Sequence, residues 1–472
     1  MIPEQQQLVE ELRARFGAAI AITDATDIAP WLTDWRGRWT GTSDAIIQPA
    51  TTEEAAAAIG LARRLGVRVV PQGGNTSMVG GATPPGDGSA LILSTRRLNK
   101  IRAIDRNAGF CIAEAGVVLQ TLHETVADEG LRFPLTLGAK GSATMGGLTS
   151  TNAGGTQVLR FGPMRGLVEG VEAILPDGSI HDGLLGLKKD NRGPSLDQLL
   201  VGAEGTLGII TAVRLKLVPS VAERAVAWIG LASPASALQV LRQLERETDR
   251  LEGFEILPDE SLTAALNQIE GTRAPLSGRH RWHALIEATT VDLAQEGSDE
   301  LLARLLAPLL SSGLIEDAAI SASEAQAAAF WKIRDSLSEA EKKEFGPATQ
   351  HDISVPVDAM PAFLEQTAAE IENAFPGTHV SGFGHLGDGN IHFHVRAFDR
   401  GGPDWLAREG DAITRLVHDL VVAAGGSISA EHGIGQMKRA ELARLSPDRV
   451  AAIRAIKSGL DPAGLFNPGK LI

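Results

Sequence analysis

The 472-residue chain contains a single cysteine, Cys111, and has no apolar run long enough for a membrane-spanning helix, which needs about 18 residues. One cysteine cannot form an internal disulfide bond or supply the ligands of an iron–sulfur cluster or a cysteine-based zinc site. The opening residues, MIPEQQQLVEELRARF, are polar and lack the apolar segment of a signal peptide. These absences predict a cytoplasmic protein without a transmembrane segment.

Charge and composition narrow the class of protein further. The chain has 44 lysines and arginines against 58 aspartates and glutamates, a net charge of −14. A surface of this sign repels the phosphates of nucleic acids, so we expect no nucleic-acid partner. Hydrophobic residues make up 43% and charged residues 22%, which is typical of globular domains. The length predicts two or three domains.

Local patterns predict a mixed architecture with a domain boundary near residue 220. In the N-terminal part, strands at 45–48 and 67–70 flank a helix that begins with a capping box at Thr51. After residue 220, strand-like and amphipathic helical segments alternate, which favours a second, α+β domain. The helices predicted there cover about 234–247, 298–310, 325–343, 360–375 and 404–425.

Two segments rich in Gly, Ser, Thr and Asn, at 73–81 and 137–162, are candidates for binding a diphosphate. Such residues leave backbone N–H groups free of bulky neighbours, although a single glycine-rich loop is more often an ordinary turn. Lys140 precedes Gly141, so the order of a P-loop is absent. Prolines after the first segment keep it from opening a helix, which argues against a Rossmann fingerprint.

A second group of residues offers metal ligands. The segments GHLGDGNIHFHV (384–395) and SAEHGIG (429–435) contain four of the eleven histidines and one glutamate. Residues two apart on a strand share a face, as His392 and His394 do in the predicted strand. Imidazoles with a carboxylate suit Zn²⁺ or a similar divalent ion, while the alternative is a set of hydrogen-bonding histidines.

The segments PQGGNTSMVGG (71–81), PLTLGAKGSATMGGLTSTNAGG (134–155) and VGAEGTLGIIT (201–211) resemble the flavin-binding loops of the vanillyl-alcohol-oxidase type of FAD-binding domain. With the histidine motifs, they resemble the FAD-binding D-2-hydroxy-acid dehydrogenases. That family includes D-2-hydroxyglutarate dehydrogenase, D-lactate dehydrogenase and the FAD subunit of glycolate oxidase. The resemblance covers most of the chain.

The resemblance implies an α+β fold in three parts. A two-subdomain FAD-binding domain of the vanillyl-alcohol-oxidase type covers 1–220, an α+β substrate or cap domain covers 221–420, and a C-terminal helical segment, 421–472, returns to the FAD site. The implied FAD-binding residues are Gly73, Gly74, Asn75, Thr76, Ser77, Gly80, Leu137, Gly138, Gly141, Ser142, Gly146, Gly147, Asn152, Gly154, Gly155, Glu204, Gly205, Gly208, Ile209 and Asn467. Since Asn75 and Thr76 stand where some relatives carry a histidine linked to the flavin, we expect noncovalent FAD.

The resemblance also implies the chemistry. By position, His385, His392 and Glu431 match the family's ligands for Zn²⁺, or another divalent metal such as Mn²⁺, and His432 matches its catalytic histidine. The implied reaction oxidises a D-2-hydroxy acid to the 2-oxo acid. The substrate hydroxyl, bound to the metal, loses its proton to His432 while the C2 hydride passes to flavin N5.

The resemblance implies that four residues select the substrate. Arg334 and Ser338 match an Arg and a Thr that hold the substrate, and a helix would place them on one face. The alternative for Arg334 is a surface residue paired with a neighbouring acid. Gln350 replaces the family's lysine, and His394 replaces an asparagine of the hydroxyglutarate enzymes. These departures from the family pattern argue against D-2-hydroxyglutarate as the substrate. D-Lactate or a related 2-hydroxy acid is the alternative.

No second nucleotide motif for NAD is visible, so we expect electrons to leave to a flavoprotein, a cytochrome or a quinone. We also expect a homodimer. An alternative within the class is the FAD subunit of a glycolate-oxidase-like complex. Alternatives from other classes are a zinc hydrolase and a non-catalytic flavin-binding module.

Overall fold

The computed structural model describes residues 1–399, 402 and 404–472, and it divides the chain into two compact units. The first unit comprises Met1–Gly155, Gly162–Pro219 and Glu431–Ile472; the second comprises Thr156–Phe161 and Ser220–Ala430. The chain thus passes from one unit to the next where the sequence indicates a boundary. It differs from the expected division because 156–161 and 421–430 also belong to the second unit.

Both units contain strands and helices. In chain order, the strands are β1 (Ala21–Ile22), β2 (Ile46–Ile47), β3 (Arg68–Gln72), β4 (Ala90–Ser94), β5 (Ile101–Asp105), β6 (Phe110–Glu114), β7 (Leu131–Arg132), β8 (Val168–Ile174), β9 (Ile180–Asp182), β10 (Ile209–Lys216), β11 (Val218–Pro219), β12 (Glu223–Leu231), β13 (Leu251–Pro258), β14 (Trp282–Thr290), β15 (Asp317–Ile320), β16 (Ala348–Ser354), β17 (Thr378–His385) and β18 (Asn390–Ala397). The helices are α1 (Pro3–Phe16), α2 (Ala25–Ile28), α3 (Thr52–Leu65), α4 (Leu119–Ala127), α5 (Met145–Thr151), α6 (Val158–Phe161), α7 (Met164–Leu167), α8 (Leu196–Leu200), α9 (Pro234–Glu247), α10 (Asp259–Gln268), α11 (Ser298–Ser311), α12 (Glu324–Asp335), α13 (Leu337–Phe345), α14 (Met360–Ala374), α15 (Trp405–Ala423), α16 (Arg439–Leu445) and α17 (Pro447–Leu460).

The first unit contains a sheet of order β1-β2-β4-β3 and an antiparallel sheet of order β5-β6-β10-β8-β9. In the first sheet, β2 and β3 pair in parallel with β4, and α3 connects them. The predicted cap is present, because the Thr51 hydroxyl accepts from the backbone N–H of Glu54 at 3.2 Å. Gly66 ends the helix in a left-handed conformation, φ 69°. Local sequence signals therefore set this β-α-β unit.

The second unit is built on a seven-stranded sheet of order β15-β12-β14-β13-β17-β18-β16, in which all neighbours are antiparallel. Alternate residues of β12 enter different hydrophobic clusters. Ala227 and Ile229 belong to one, and Val226 and Trp228 to another. Because successive side chains of a strand point to opposite faces, this sheet has a core on each side. The α+β class predicted from the sequence is confirmed.

The second unit contains elements that the sequence did not predict: strands β13, β15, β16 and β17 and helix α10. In addition, the helix expected over 325–343 is two helices, α12 and α13, separated at Ser336. The Ser336 hydroxyl donates to the Lys332 carbonyl at 2.6 Å, a local side-chain bond that competes with helix continuation.

None of the helices in the described part of the chain is long and apolar enough to cross a lipid bilayer.

Candidate functional site

A cavity of about 640 Å³ lies within the first unit, inside the size range of cofactor and ligand pockets. The two small-residue segments, the segment at 204–210, and the residues Glu431, His432 and Asn467 line it. The predicted FAD-binding residues that line it are Gly73, Gly74, Asn75, Thr76, Ser77, Leu137, Gly138, Gly141, Ser142, Gly146, Gly147, Gly154, Glu204, Gly205, Gly208, Ile209 and Asn467.

Three predicted residues are not among the residues that line the cavity, and each has a local structural role. Gly80 has φ 68° and its carbonyl accepts from the Gln436 side chain at 3.0 Å. Asn152 ends α5 in a left-handed conformation and accepts from the backbone of Arg165. At Gly155 a Cβ would lie 2.3 Å from the carbonyl oxygen of Thr136. Turn geometry and close backbone approach account for these small residues.

The two small-residue segments pack against each other at distances that exclude a side chain. A Cβ at Gly73 would lie 2.2 Å from Oγ1 of Thr144, and a Cβ at Gly74 would lie 1.9 Å from the carbonyl oxygen of Ser142. Any larger residue would push the segments apart. The glycines of the first segment therefore bring both segments to one wall of the cavity, although they are far apart in sequence.

Four buried polar atoms of cavity-lining residues have no hydrogen-bond partner within the described part of the chain: Oε1 of Gln72, Oδ1 of Asn75, Oγ1 of Thr144 and Oδ1 of Asn467. A buried polar atom without a partner costs about 1–3 kcal/mol. Their concentration around one cavity indicates that a polar ligand completes them. An FAD molecule, with many hydrogen-bonding atoms, fits this lining. Gln72 and Thr144 were not predicted from the sequence, since only their neighbours carry the glycine signal.

The predicted metal ligand His385 and substrate residue Arg334 meet in the second unit around Glu255. Oε2 of Glu255 accepts from Nε of Arg334 at 2.8 Å, and Oε1 accepts from Nδ1 of His385 at 2.6 Å. Another nitrogen of the Arg334 guanidinium lies 2.9 Å from Nε2 of His385. The Arg334 side chain is only 11% exposed, so it is not a surface residue, although it also lies 3.9 Å from the carboxylate of the neighbouring Asp335.

The protonation of this cluster suits metal binding. Burial acts to raise the pKa of Glu255, but the Arg334 and His385 charges outweigh it and lower the pKa to about 2. An ionised carboxylate only accepts, so Nδ1 of His385 carries the proton of this hydrogen bond, while its Nε2 faces the Arg334 guanidinium. Burial, and then Arg334 and His385, lower the pKa of His392 well below its usual value, which keeps that imidazole neutral. The two histidine rings are 5.8 Å apart. A neutral His392 and a His385 oriented by a carboxylate are the kinds of ligand that divalent metals bind.

The other predicted substrate residues lie in different surroundings. His394 is buried, and its Nδ1 lies 2.7 Å from the carboxylate of Glu341, which also accepts from the Ser381 hydroxyl. Gln350 stands directly opposite His394 in the β16–β18 register. Ser338 is exposed on α13, so Arg334 and Ser338 do not share one helix face as expected.

Sequence reasoning missed Glu255 and Glu341, the two carboxylates that orient the predicted histidines. Glu255 is 1% exposed and Glu341 is 4% exposed. A glutamate within the apolar run GFEIL was the available signal for Glu255, because a charged residue is rarely buried without a partner. Glu341 lies in a charged helix and offers no such signal.

Comparison with known proteins agrees with this architecture. Residues 43–183 match the family described as FAD binding domain, and residues 221–471 match FAD linked oxidases, C-terminal domain. The structure of p-cresol methylhydroxylase shares the fold, with a TM-score of 0.71 at 14% identity, covering 100% of this chain and 97% of that chain. The fold and the cavity thus define an FAD-linked oxidoreductase.

Curated relatives narrow the family. The chain is 35% identical to D-2-hydroxyglutarate dehydrogenase of Xanthomonas citri pv. viticola, over 99% of this chain and 95% of the relative. It is 35% identical to mitochondrial D-2-hydroxyglutarate dehydrogenase of Arabidopsis thaliana, over 93% and 77%. It is 32% identical to a putative mitochondrial D-lactate dehydrogenase of Schizosaccharomyces pombe, over 95% and 86%. The chain belongs to the FAD-binding D-2-hydroxy-acid dehydrogenase family.

This membership confirms the family and the fold inferred from the sequence motifs, and FAD is the cofactor. It does not support the zinc hydrolase or the non-catalytic flavin-binding module as interpretations of the chain.

Proposed function

We propose that this protein oxidises a D-2-hydroxy acid to the 2-oxo acid with the help of a divalent metal, and that His432 accepts the hydroxyl proton. The observation that carries the proposal is that Glu431 and His432 line the same cavity as the two flavin-binding segments. A histidine there is within the unit that holds the cofactor, and an imidazole is the side chain most often used to accept a proton near pH 7.

We propose His385, His392 and Glu431 as the metal ligands, with Zn²⁺ or Mn²⁺ as the ion. Three protein ligands are typical of a catalytic site and not of a structural one. When bound, the metal supplies a Lewis acid that lowers the pKa of the substrate hydroxyl, and the flavin supplies the two-electron acceptor. Glu255 fixes the tautomer of His385, and Arg334, held by Glu255, binds the substrate carboxylate.

The substrate we propose is D-lactate, D-2-hydroxyglutarate or a related acid, selected by Gln350 and His394. The relatives include one named D-2-hydroxyglutarate dehydrogenase and one named putative D-lactate dehydrogenase. His394, backed by Glu341, sits opposite Gln350, where the hydroxyglutarate enzymes carry other residues. The lack of a lysine at position 350 removes a fixed positive charge that a second carboxylate would use, so we favour a monocarboxylate.

We also propose noncovalent FAD, an electron acceptor that is a flavoprotein, cytochrome or quinone, a homodimer and a cytoplasmic location. The second candidate, an FAD subunit of a glycolate-oxidase-like complex, differs in needing partner chains.

Anaerobic reduction of the bound flavin tests the proposal. D-lactate, D-2-hydroxyglutarate, D-malate and glycolate are added separately to the purified yellow protein, with and without a chelator. We expect chelator-sensitive loss of the visible flavin band with at least one D-acid, and loss of that response in His432→Asn with flavin and metal content unchanged. A band that none of the acids bleaches would contradict the substrate class. Release of all flavin by acid precipitation is expected if FAD is noncovalent.

A further inference from the structure

Glu204 fastens the segment that follows His432 to the wall of the flavin cavity. One carboxylate oxygen accepts from the backbone N–H of Ile434 at 2.7 Å, and the other accepts from that of Gly435 at 2.8 Å. The side chain is almost fully buried, and the residue is 9% exposed. Burial raises the pKa of Glu204, and the N–H groups of Ile434 and Gly435 act against this shift because they hydrogen-bond to the ionised form. Both carboxylate oxygens therefore hold one backbone segment.

Glu204 is itself held in an unusual conformation. Its φ is +50°, in the left-handed region that a non-glycine residue seldom adopts. Its N–H donates to the Ser150 carbonyl at 2.8 Å, and its carbonyl accepts from Nδ2 of Asn467 at 2.7 Å. Strained backbone of this kind persists only where its surroundings fix it. These bonds fix the direction of the Glu204 side chain.

The segment at 433–437 has little freedom to move elsewhere. The backbone N–H of Gln436 donates to the Val79 carbonyl at 3.0 Å, and the N–H of Leu471 donates to the Gly435 carbonyl at 3.0 Å. A Cβ at Gly433 would lie 3.0 Å from Oε1 of Glu204, and φ there is +80°. Glycine is thus needed for the approach of the segment to Glu204.

We propose that Glu204 is a positioning residue that fixes the 431–435 segment, and His432 with it, rather than a residue that binds the flavin. The inference rests on the proposed role of His432 as the proton acceptor. The position of the His432 imidazole affects the reaction rate, because a displacement of about 1 Å can lower the rate about 100-fold. The Glu204 carboxylate hydrogen-bonds to the N–H groups of Ile434 and Gly435, so we expect other cavity residues to determine the affinity for FAD.

The test compares Glu204→Gln with Glu172→Gln. Glu172 is the control, because it is also 9% exposed, lies in the same unit and accepts from the Thr52 and Thr211 hydroxyls and from Arg102 away from the cavity lining. The first readout is amide hydrogen exchange of the peptide 429–438, in the FAD-bound protein and in the apoprotein. We expect exchange at Ile434 and Gly435 to rise about 10-fold or more in Glu204→Gln, because a hydrogen bond to the carboxylate is lost. In Glu172→Gln, exchange at these two residues should stay at the wild-type rate.

The second readout separates positioning from flavin binding. In Glu204→Gln we expect the dissociation constant of FAD to change less than about 3-fold, while flavin reduction by the substrate acid slows by about 100-fold at saturating substrate. A rise of 10-fold or more in the FAD dissociation constant with unchanged exchange would show a flavin-binding residue and overturn the inference. Unchanged exchange with normal reduction would also overturn it.

A second variant and the wild-type protein distinguish failure of this inference from failure of the proposed function. If Glu204→Gln does not fold, Gly433→Ala perturbs the same contact from the other side, and the same rise in exchange is expected. If the wild-type flavin is not reduced by any of the acids, the proposed function fails while the exchange measurement still tests the contact. If the wild type is reduced and both variants match it, only the inference fails.

Discussion

Glu255 and His385 face each other directly across two antiparallel strands, and the Glu255 carboxylate accepts from Nδ1 of His385 at 2.6 Å. The two residues are 130 positions apart in sequence. The same carboxylate pairs with Arg334, so one buried group orients a predicted metal ligand and a predicted substrate residue. Glu255 thus holds His385 in a fixed orientation before a metal binds, and the effect of removing this carboxylate can be measured.

Glu255→Gln is expected to weaken metal binding by about 10–100-fold, because the amide no longer orients His385 as a carboxylate does. The measurement is a titration of the metal-free protein with Zn²⁺. The matched control is Glu252→Gln, on the same strand and equally buried, which also loses an arginine partner, Arg160 at 2.9 Å. Both variants should lose thermal stability, but only the first should lose affinity for the metal. Equal affinity in the two variants would contradict the role of Glu255.

Thr144→Val is expected to weaken FAD binding by about 5–13-fold, with no loss of apoprotein stability. The Thr144 hydroxyl has no partner among the described residues, so its removal costs the apoprotein nothing, while FAD loses a hydrogen bond of about 1–1.5 kcal/mol. Fluorescence titration with FAD and melting of the apoprotein measure the two effects. Thr149→Val is the control, since its hydroxyl donates to the Met145 carbonyl at 2.8 Å and its loss should lower apoprotein stability. A Thr144→Val apoprotein that melts lower with unchanged FAD affinity would refute the assignment.

The Cys111 thiol is expected to be inert in the folded protein. Burial raises its pKa to about 12, so at pH 8 only about one molecule in ten thousand carries the thiolate. An aromatic disulfide reagent should therefore release no measurable colour from the native protein and one equivalent after denaturation. Rapid reaction of the native protein would show that β6 (Phe110–Glu114) opens readily.

Lys470 is expected to make stability depend on alkaline pH. Burial, followed by the Arg439 charge, lowers its pKa to about 8, against about 10.4 in an unfolded chain. Between these values the unfolded chain binds more protons, so this lysine's contribution to stability rises with pH. Lys470→Met removes the cost of the buried charge. Its melting temperature should exceed that of the wild type most at pH 7, and the difference should shrink by pH 9.5. A difference that is constant with pH would contradict the lowered pKa.

Several parts of the site could be predicted because their signals are local. The Thr51 cap, the Gly66 helix end and the small-residue segments each depend on a few consecutive residues; the cap and the helix end are present, and the segments line one cavity. A helix break at Ser336 was also local, yet it was missed because the apolar periodicity of 325–343 continues across it.

The amino-acid sequence by itself determined the residue types: glycines where two segments touch, and histidines and a glutamate in two short motifs. The tertiary structure alone decided their partners. Strand register set Glu255 opposite His385, and the return of the C-terminal residues to the first unit set Ile434 on Glu204, 230 positions away. Such pairs arise from the packing of whole sheets and from close backbone approach, and a pattern within one segment carries no record of which distant segment will lie beside it.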